Sequence, residues 1–426
     1  MEDTQLPTVT DLDSRFDLCV LGLGYIGLPT AVVFAQSGMR VLGVDINADR
    51  VHEIGAGTLR IDEPGLKDAL NNALKDERLN VSTDVQPARN FLIAVPTPLK
   101  EDKSADTSDI WAAAETIAPV LSPGDLVILE STSPPGTTKA LCDHLASLRD
   151  DLDFGAEASG HVSVAYCPER VMPGRILNEF ATNPRVVGGV DPEATERAAD
   201  LYAHATSAEV LKTEASTAEM VKLAENAYRD VNIAFANELS MLAAEHDVDA
   251  WELVHLANNH PRVNILNPGP GVGGHCIAVD PWFLAGTSDN APLIETARGV
   301  NDGKTRWVVE EVSKEILRGD WDEIIFYGVT YKPDVDDLRE SPALSIVDEC
   351  LRLFPERRFF VVDPLVNGKV RDITVAKTAE AISGLDRGST QVLHVVLVAH
   401  SAFKNMEAFA DAGAKVLDFV GLRASR

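Results

Sequence analysis

The stretch Leu21-Gly22-Leu23-Gly24-Tyr25-Ile26-Gly27 constrains this chain more than any other. A short apolar run leads into it and a helical pattern leaves it. At that spacing Gly22 makes a sharp turn, Gly24 lets the backbone approach a ligand, and Gly27 lets helix and strand pack closely. A second apolar run, Arg40–Asp45, ends in a carboxylate 23 residues after Gly22. Such a carboxylate accepts hydrogen bonds from both hydroxyls of a dinucleotide ribose and repels a 2′-phosphate. A pyrophosphate would rest on the helix N-terminus, where N–H groups and the dipole favour anions. The expectation is a Rossmann-type lobe that binds NAD; the alternative is a glycine turn without a cofactor. Leu18 to Met39 is also 22 residues without a charge. Its glycines, Pro29 and Gln36 make strand-turn-helix the better reading than a membrane span, so no membrane insertion is expected.

Apolar runs alternate with helical patterns through the first two hundred residues. They are Asp17–Gly22, Arg40–Asp45, Phe91–Val95, Leu126–Glu130, Val162–Tyr166 and Val186–Val190. This alternation predicts a parallel sheet covered on both faces. From Ser216 to Asp247 there is no Gly or Pro, and apolar residues recur at helical spacing, which predicts one long helix. Its apolar stripe must be covered, which makes it a plausible interface of a homodimer or higher homo-oligomer. Alternation returns with Glu323–Val329, Arg358–Asp363, Val392–Val398 and Lys415–Phe419. The fold class is therefore α/β: an N-terminal Rossmann-type parallel sheet, a central long-helix domain and a C-terminal, second Rossmann-like α/β domain. The expected boundaries are 1–212, 213–304 and 305–426.

Composition bounds the partners. Lys+Arg is 38 and Asp+Glu 66, a formal net charge of −28. A chain this acidic does not hold nucleic acid through its overall field. Only 14 of the 38 basic residues are Lys. A Lys-poor, acid-rich surface stays hydrated in concentrated salt, so a salt-adapted host is the expectation, against a merely acidic protein. Five scattered cysteines without a C-x-x-C fit a reducing, cytoplasmic compartment and no metal site. The acidic start Met1-Glu2-Asp3-Thr4 does not read as a signal peptide.

Chemistry concentrates in three places. Val95-Pro96-Thr97-Pro98 and Glu130-Ser131-Thr132-Ser133 end predicted strands, where open sheets bind ligands, so Thr97 and Thr132 are candidate cofactor contacts. Gly271-Val272-Gly273-Gly274-His275-Cys276-Ile277-Ala278-Val279-Asp280 puts a thiol after a glycine-rich loop and a carboxylate four residues on. A helix beginning there would favour thiolate at Cys276 and place Asp280 one turn away. A small buried cysteine is the plain alternative. On the long helix Lys222, Asn226 and Arg229 form one polar stripe, either a solvated face or a lysine placed to meet a developing oxyanion. NAD with a thiolate points beyond alcohol oxidation: an aldehyde can be trapped as a thiohemiacetal, oxidised to a thioester and hydrolysed.

In order and spacing these motifs resemble the sugar-nucleotide 6-dehydrogenases, the UDP-glucose/GDP-mannose dehydrogenase family. Tyr166-Cys167-Pro168-Glu169-Arg170, Glu219–Arg229 and Tyr331-Lys332-Pro333-Asp334 through Arg339-Glu340-Ser341-Pro342 complete the resemblance, which runs from about Phe16 to about Asp418. It implies a four-electron oxidation of a UDP-sugar at C6 with two NAD reduced. Cys276 resembles the family nucleophile, and Lys222 the group assisting proton transfer, with Asn226 at the same oxygen. Asp280 resembles the carboxylate that orients water, and Glu169 a carboxylate near the reacting carbon. Tyr25, Ile26, Arg50 and Arg339 are similar to further NAD contacts, and Tyr331 and Lys332 to nucleotide contacts.

Pro173 stands where glucose- and mannose-specific members usually carry a second glutamate. That departure places Arg170 and Val171 beside the substrate. With the Cys276 loop it makes the chain similar to the N-acetylhexosamine branch, closest to UDP-N-acetyl-D-mannosamine dehydrogenases. The same resemblance implies substrate contacts at Arg229, His260, Arg262 and Gly273. UDP-GlcNAc and UDP-glucose remain alternative substrates. A two-electron β-hydroxyacid dehydrogenase would leave Cys276 and the C-terminal lobe unexplained, and a non-catalytic nucleotide sensor would leave the whole Cys276, Lys222, Asn226 and Asp280 set unexplained.

Overall fold

The computed structural model describes residues 15–59, 61, 63–154, 160–378, 391–404 and 415–422. The chain divides into two compact units, Met1–Ala224 and Glu225–Arg426. The first unit is built on eight strands: β1 Leu18–Leu21, β2 Val41–Val44, β3 Leu79–Ser82, β4 Asn90–Ile93, β5 Leu126–Leu129, β6 Ser163–Tyr166, β7 Arg185–Gly189 and β8 Val210–Glu214. Their order is β3-β2-β1-β4-β5-β6-β7-β8. Neighbours run parallel except β6 and β7, which are antiparallel. The helices are α1 Gly27–Gln36, α2 Ala48–Gly55, α3 Leu66–Lys75, α4 Ser108–Ile117, α5 Thr137–Leu148, α6 Ile176–Thr182 and α7 Pro192–Ala203.

Side chains alternate across the central strands. Leu18, Val20, Leu92 and Ile128 join one core with Phe34 of α1, Phe180 of α6 and Tyr202 of α7. Cys19, Phe91, Ile93 and Val127 join the opposite core with Ile110 of α4 and Leu141 of α5. Both faces being covered, the central strands read as unbroken apolar runs. β3 and β8 form the sheet's edges, and β8 leaves Leu211, Lys212 and Glu214 exposed.

The long helix α8, Ala215–Glu245, spans 31 residues. In the second unit follow α9 Ala250–Ala257, α10 Asp280–Ala285 and α11 Pro292–Arg318, then β9 Glu323–Tyr327, α12 Pro342–Leu353, β10 Arg358–Val362, β11 Lys369–Val370, β12 Ile373–Ala376, β13 Val392–Val396 and β14 Lys415–Asp418. Helix α11 continues through residue 304, where the sequence pattern divides middle from C-terminal part. Buried polar groups tie α11 to α8. Arg298 NH1 and Asn301 Nδ2 donate to Asp230 Oδ1 at 2.6 and 2.8 Å. Asn237 Nδ2 donates to Asn301 Oδ1 at 2.9 Å.

The second sheet has the order β11-β12-β10-β9-β13-β14. Its first crossover repeats the first unit's geometry. Gly22 N donates to Val44 O at 2.8 Å, and Gly328 N to Val362 O at 2.8 Å. Leu23 N donates to Asp45 Oδ2 at 2.9 Å, and Val329 N to Asp363 Oδ2 at 2.9 Å. Each lobe thus holds a glycine with positive φ after its first strand and a carboxylate after its second.

Candidate active site

In the first unit the strand ends build a nucleotide cleft. Gly22 has φ +91°, and a Cβ there would lie 2.5 Å from Ala94 O. A Cβ on Gly27 would lie 1.9 Å from Gly22 O, so α1 packs onto the turn only with glycine. Gly24 has nothing within 4 Å of that direction, which leaves its backbone open to a ligand. Asp45 is buried and orders the turn. Its Oδ2 accepts from Leu23 N and Arg50 NH1, both at 2.9 Å, and its Oδ1 accepts from Asn47 N at 2.9 Å. A cleft of about 240 Å³ opens here, lined by Gly24, Tyr25, Asn47, Arg50 and Ile54 among others. Ile26 is half-buried beside it in the turn. The open backbone at Gly24, the helix N-terminus and the Asp45 carboxylate fit NAD.

The next two strand ends are laced together. Thr97 Oγ1 donates to Thr132 O at 2.7 Å, and Ser131 Oγ to Val95 O at 2.7 Å. Glu219, near the start of α8, fixes the following segment. It accepts from Gly136 N at 2.6 Å, Thr138 N at 2.7 Å and Thr138 Oγ1 at 2.6 Å. Burial pushes its carboxyl up, against these bonds. Half-buried Lys222 follows one turn later.

Glu169 sits deeper than a carboxylate facing substrate alone would. Its Oε2 lies 3.2 Å from Arg185 NH1 and its Oε1 accepts from Arg170 N at 2.5 Å. Arg170 reaches Pro184 O at 2.9 Å through NH1, and Val171 packs against the core. Buried Glu130 accepts from Thr30 Oγ1 and Tyr202 OH, both at 3.2 Å. Burial first, then the charge on Glu169, raise Glu130 to about 8.

In the second unit the structure brings together Asn226, Arg229, Cys276, Asp280, Tyr331 and Lys332. Helix α10 opens at Asp280, so Cys276 lies one turn ahead of it rather than inside it. The i to i+4 relation survives as a turn, in which Asp280 N donates to Cys276 O at 2.8 Å. Asp280 is 3% exposed, and its Oδ2 accepts from Asn226 Nδ2 at 2.6 Å. Cys276 is exposed, whereas burial pushes Cys19, Cys167 and Cys350 each up to about 12. Lys332 is held below the ordinary lysine range by burial, with Arg229 acting in the same sense and the Cys276 charge against it.

The glycines before Cys276 are squeezed. A Cβ on Gly273 would lie 2.3 Å from Glu340 O, and one on Gly274 would lie 2.8 Å from the Tyr331 ring. Asn237 Oδ1 accepts from Gly269 N at 2.9 Å, and Thr305 Oγ1 donates to Pro270 O at 3.0 Å. Arg339 is paired with Asp337 at 2.7 Å. His260 and Arg262 lie in an exposed turn after α9. Sequence reasoning missed Arg185, Asn237, Thr305 and His400, and named Glu219 only as part of a motif. All act through partners distant in the chain, which a single sequence does not reveal.

Each unit therefore carries a Rossmann-like lobe, and the exposed Cys276 lies in the second. Profiles of the UDP-glucose/GDP-mannose dehydrogenase family match the NAD binding domain over residues 16–206, the central domain over 216–303 and the UDP binding domain over 325–421. The chain belongs to this family and is an NAD-dependent dehydrogenase. It is 46% identical over 402 residues to the UDP-N-acetyl-D-mannosamine dehydrogenase of Salmonella typhi, covering 91% of this chain and 94% of that one. It is 45% identical over 421 residues to the NDP-N-acetyl-D-galactosaminuronic acid dehydrogenase of Ralstonia nicotianae, covering 98% of each. The structure of a UDP-D-ManNAc dehydrogenase from Pyrococcus horikoshii matches with a TM-score of 0.82 at 35% identity, covering 95% of each chain. Among the described residues no helix is long and apolar enough to cross a membrane.

Proposed function

We propose that this protein oxidises C6 of UDP-N-acetyl-D-mannosamine from alcohol to carboxylate, reducing two NAD per sugar. The observation that carries the reading is exposed Cys276 held one turn before buried Asp280, whose carboxylate accepts from half-buried Asn226. NAD, when bound, accepts the hydride of each oxidation. In the first step C6 loses a hydride and its hydroxyl a proton, which Lys222 takes up. The Cys276 thiolate then adds to the aldehyde carbon, and Asn226 and Lys222 hold the oxygen. Loss of a second hydride leaves a thioester. Water ordered by Asp280 adds to it, the C–S bond breaks, and the carboxylate departs with the Cys276 thiolate restored, the two protons of the water leaving to solvent. With Pro173 in place of a glutamate, Asp280 is the carboxylate assigned to that water.

Glu169 and Arg170 are assigned to the sugar end of the substrate with Val171, Arg229, His260, Arg262 and Gly273. Tyr331 and Lys332 are assigned to the nucleotide. Thr97, Thr132 and Arg339 join the fingerprint residues at NAD. The parts 1–212, 213–304 and 305–426 would hold NAD, join protomers and hold UDP. On α8 the exposed Tyr228, Phe235 and Leu242 recur every seven residues, which supports a homodimer. The proposed compartment is the cytoplasm, where Cys276 stays reduced.

Similarity to the Ralstonia protein favours an N-acetylgalactosamine sugar as the second reading. The test is NADH formed from a limiting amount of each UDP-sugar. Two NADH per UDP-N-acetyl-D-mannosamine, and little from UDP-GlcNAc, UDP-GalNAc or UDP-glucose, is the expected result. One NADH per sugar would remove the thioester route. Cys276→Ser is expected to end four-electron turnover.

A further inference from the structure

In the first lobe the buried Asp45 carboxylate holds Leu23 N, Asn47 N and Arg50 NH1, and those three residues line a cleft. The counterpart of Asp45, Asp363, faces a side chain. His400, wholly buried after β13, sets Nε2 at 3.2 Å from Asp363 Oδ2 and at 3.2 Å from Thr330 Oγ1. Its Nδ1 accepts from Asp334 N at 3.0 Å. That bond leaves Nδ1 without a proton and assigns the proton to Nε2, the nitrogen facing Asp363. Thr330 Oγ1 donates in turn to Lys332 O at 2.9 Å. Asp363 is further occupied by Val329 N, Leu365 N and Val366 N at 2.9, 3.0 and 3.2 Å. Phe403 stands edge-on against the His400 ring at 5.4 Å.

Every bond from this imidazole ends on the turn Thr330–Asp334 or on the carboxylate beneath it. A side chain thus occupies the Asp363 carboxylate, which stands after its strand as Asp45 does in the first lobe. The turn it holds carries Tyr331 and Lys332. Tyr331 in turn packs where Gly274 passes, two residues before Cys276.

We propose that His400, through Asp363 and Thr330, is a positioning residue for substrate binding: it occupies the Asp363 carboxylate and fixes the turn that presents Tyr331 and Lys332 to the nucleotide diphosphate. This rests on the assignment of Lys332 to the nucleotide made above. The loss of its bonds acts on UDP affinity and leaves the NAD lobe alone, because no contact of His400 named here lies in the first unit.

The experiment compares His400→Gln, His400→Ala, Thr330→Val and Lys332→Ala by calorimetric titration with UDP and, separately, with NADH. The expected result is a UDP Kd raised about tenfold in His400→Ala, the scale of one lost buried hydrogen bond. His400→Gln, which keeps a donor for Asp363, and Thr330→Val should show smaller rises, with NADH affinity unchanged in all. In steady state KM for the UDP-sugar should rise while kcat stays within about twofold. UDP affinity lost in Lys332→Ala but intact in both His400 variants and in Thr330→Val overturns the positioning role alone. UDP affinity intact in Lys332→Ala overturns the nucleotide assignment and this inference with it. Parallel loss of NADH and UDP affinity in His400→Gln or Thr330→Val would mean a general structural role and would also overturn it.

Discussion

Arg185 is one guanidinium between two buried acids. It lies 3.2 Å from Glu169 and 4.0 Å from Glu130, over the Phe180 ring at 3.8 Å. One positive charge cannot neutralise both carboxylates in a dry site. Glu130 has the poorer geometry and keeps its proton up to about 8, through burial first and the Glu169 charge second. In the unfolded chain it loses that proton near the ordinary 4.5. Between those values the native state binds the extra proton, so the associated stability is full below about 4.5 and lost as pH rises through about 8. Glu130→Gln holds the neutral form at every pH. We predict that the wild-type Tm falls from about pH 5 to about pH 8.5 and that Glu130→Gln falls less over the same range. Calorimetry at a series of pH values checks this; parallel curves would show that Glu130 does not carry the proton.

At the scale of elements, Glu219 joins two pieces of the site. It anchors the first turns of α8, one turn before Lys222, to Gly136 and Thr138 at the start of α5. Glu219→Ala would leave two backbone N–H groups and a hydroxyl without their acceptor, at about 1–3 kcal/mol for each group that water does not reach. We predict a kcat lowered about tenfold and a raised KM for NAD, with Glu219→Gln intermediate; values unchanged from wild type would make the bond dispensable. The sequence makes the central strands legible because both sheet faces are buried and the apolar runs are unbroken. It hides β3, β8, β11 and β12, which lie at or near sheet edges and carry polar residues such as Asn80, Lys212 and Lys369. The Gly22–Asp45 fingerprint and the Cys276 loop are legible because their chemistry is local. Glu219, Asn237 and His400 are not, since each meets partners 32 or more residues away. The helix begins at Asp280, a turn later than a start at Cys276 would put it: Gly271–Gly274 thread between Thr305, Glu340 and Tyr331, which keeps the thiol ahead of the helix.

At the scale of the whole molecule two surface properties remain. Tyr228, Phe235 and Leu242 are 73%, 56% and 47% exposed along one stripe of α8. Burying such a stripe against a second copy is favourable at about 25 cal/mol per Å², so for the homodimer proposed above Phe235→Glu should shift the sedimenting species from dimer to monomer; a wild type that sediments as a monomer, or a dimer unmoved by the change, would remove the stripe as the interface. The net charge of −28 sets the second property. Exposed pairs such as Arg352–Glu349 and Arg371–Asp348 add little stability and are weakened by salt. Against that loss stands mutual repulsion among 66 acidic groups met by 38 basic ones. Repulsion acts over the whole surface and is screened from about 10 Å at 0.1 M salt to about 3 Å at 1 M. The excess of acid over base therefore decides the sign, and salt should stabilise. We predict a Tm and a specific activity that rise from about 0.1 M to about 2 M KCl, since screening removes a destabilising field while the cores stay dry. A Tm that is flat or falls across that range would show that the acidic surface is not an adaptation to salt.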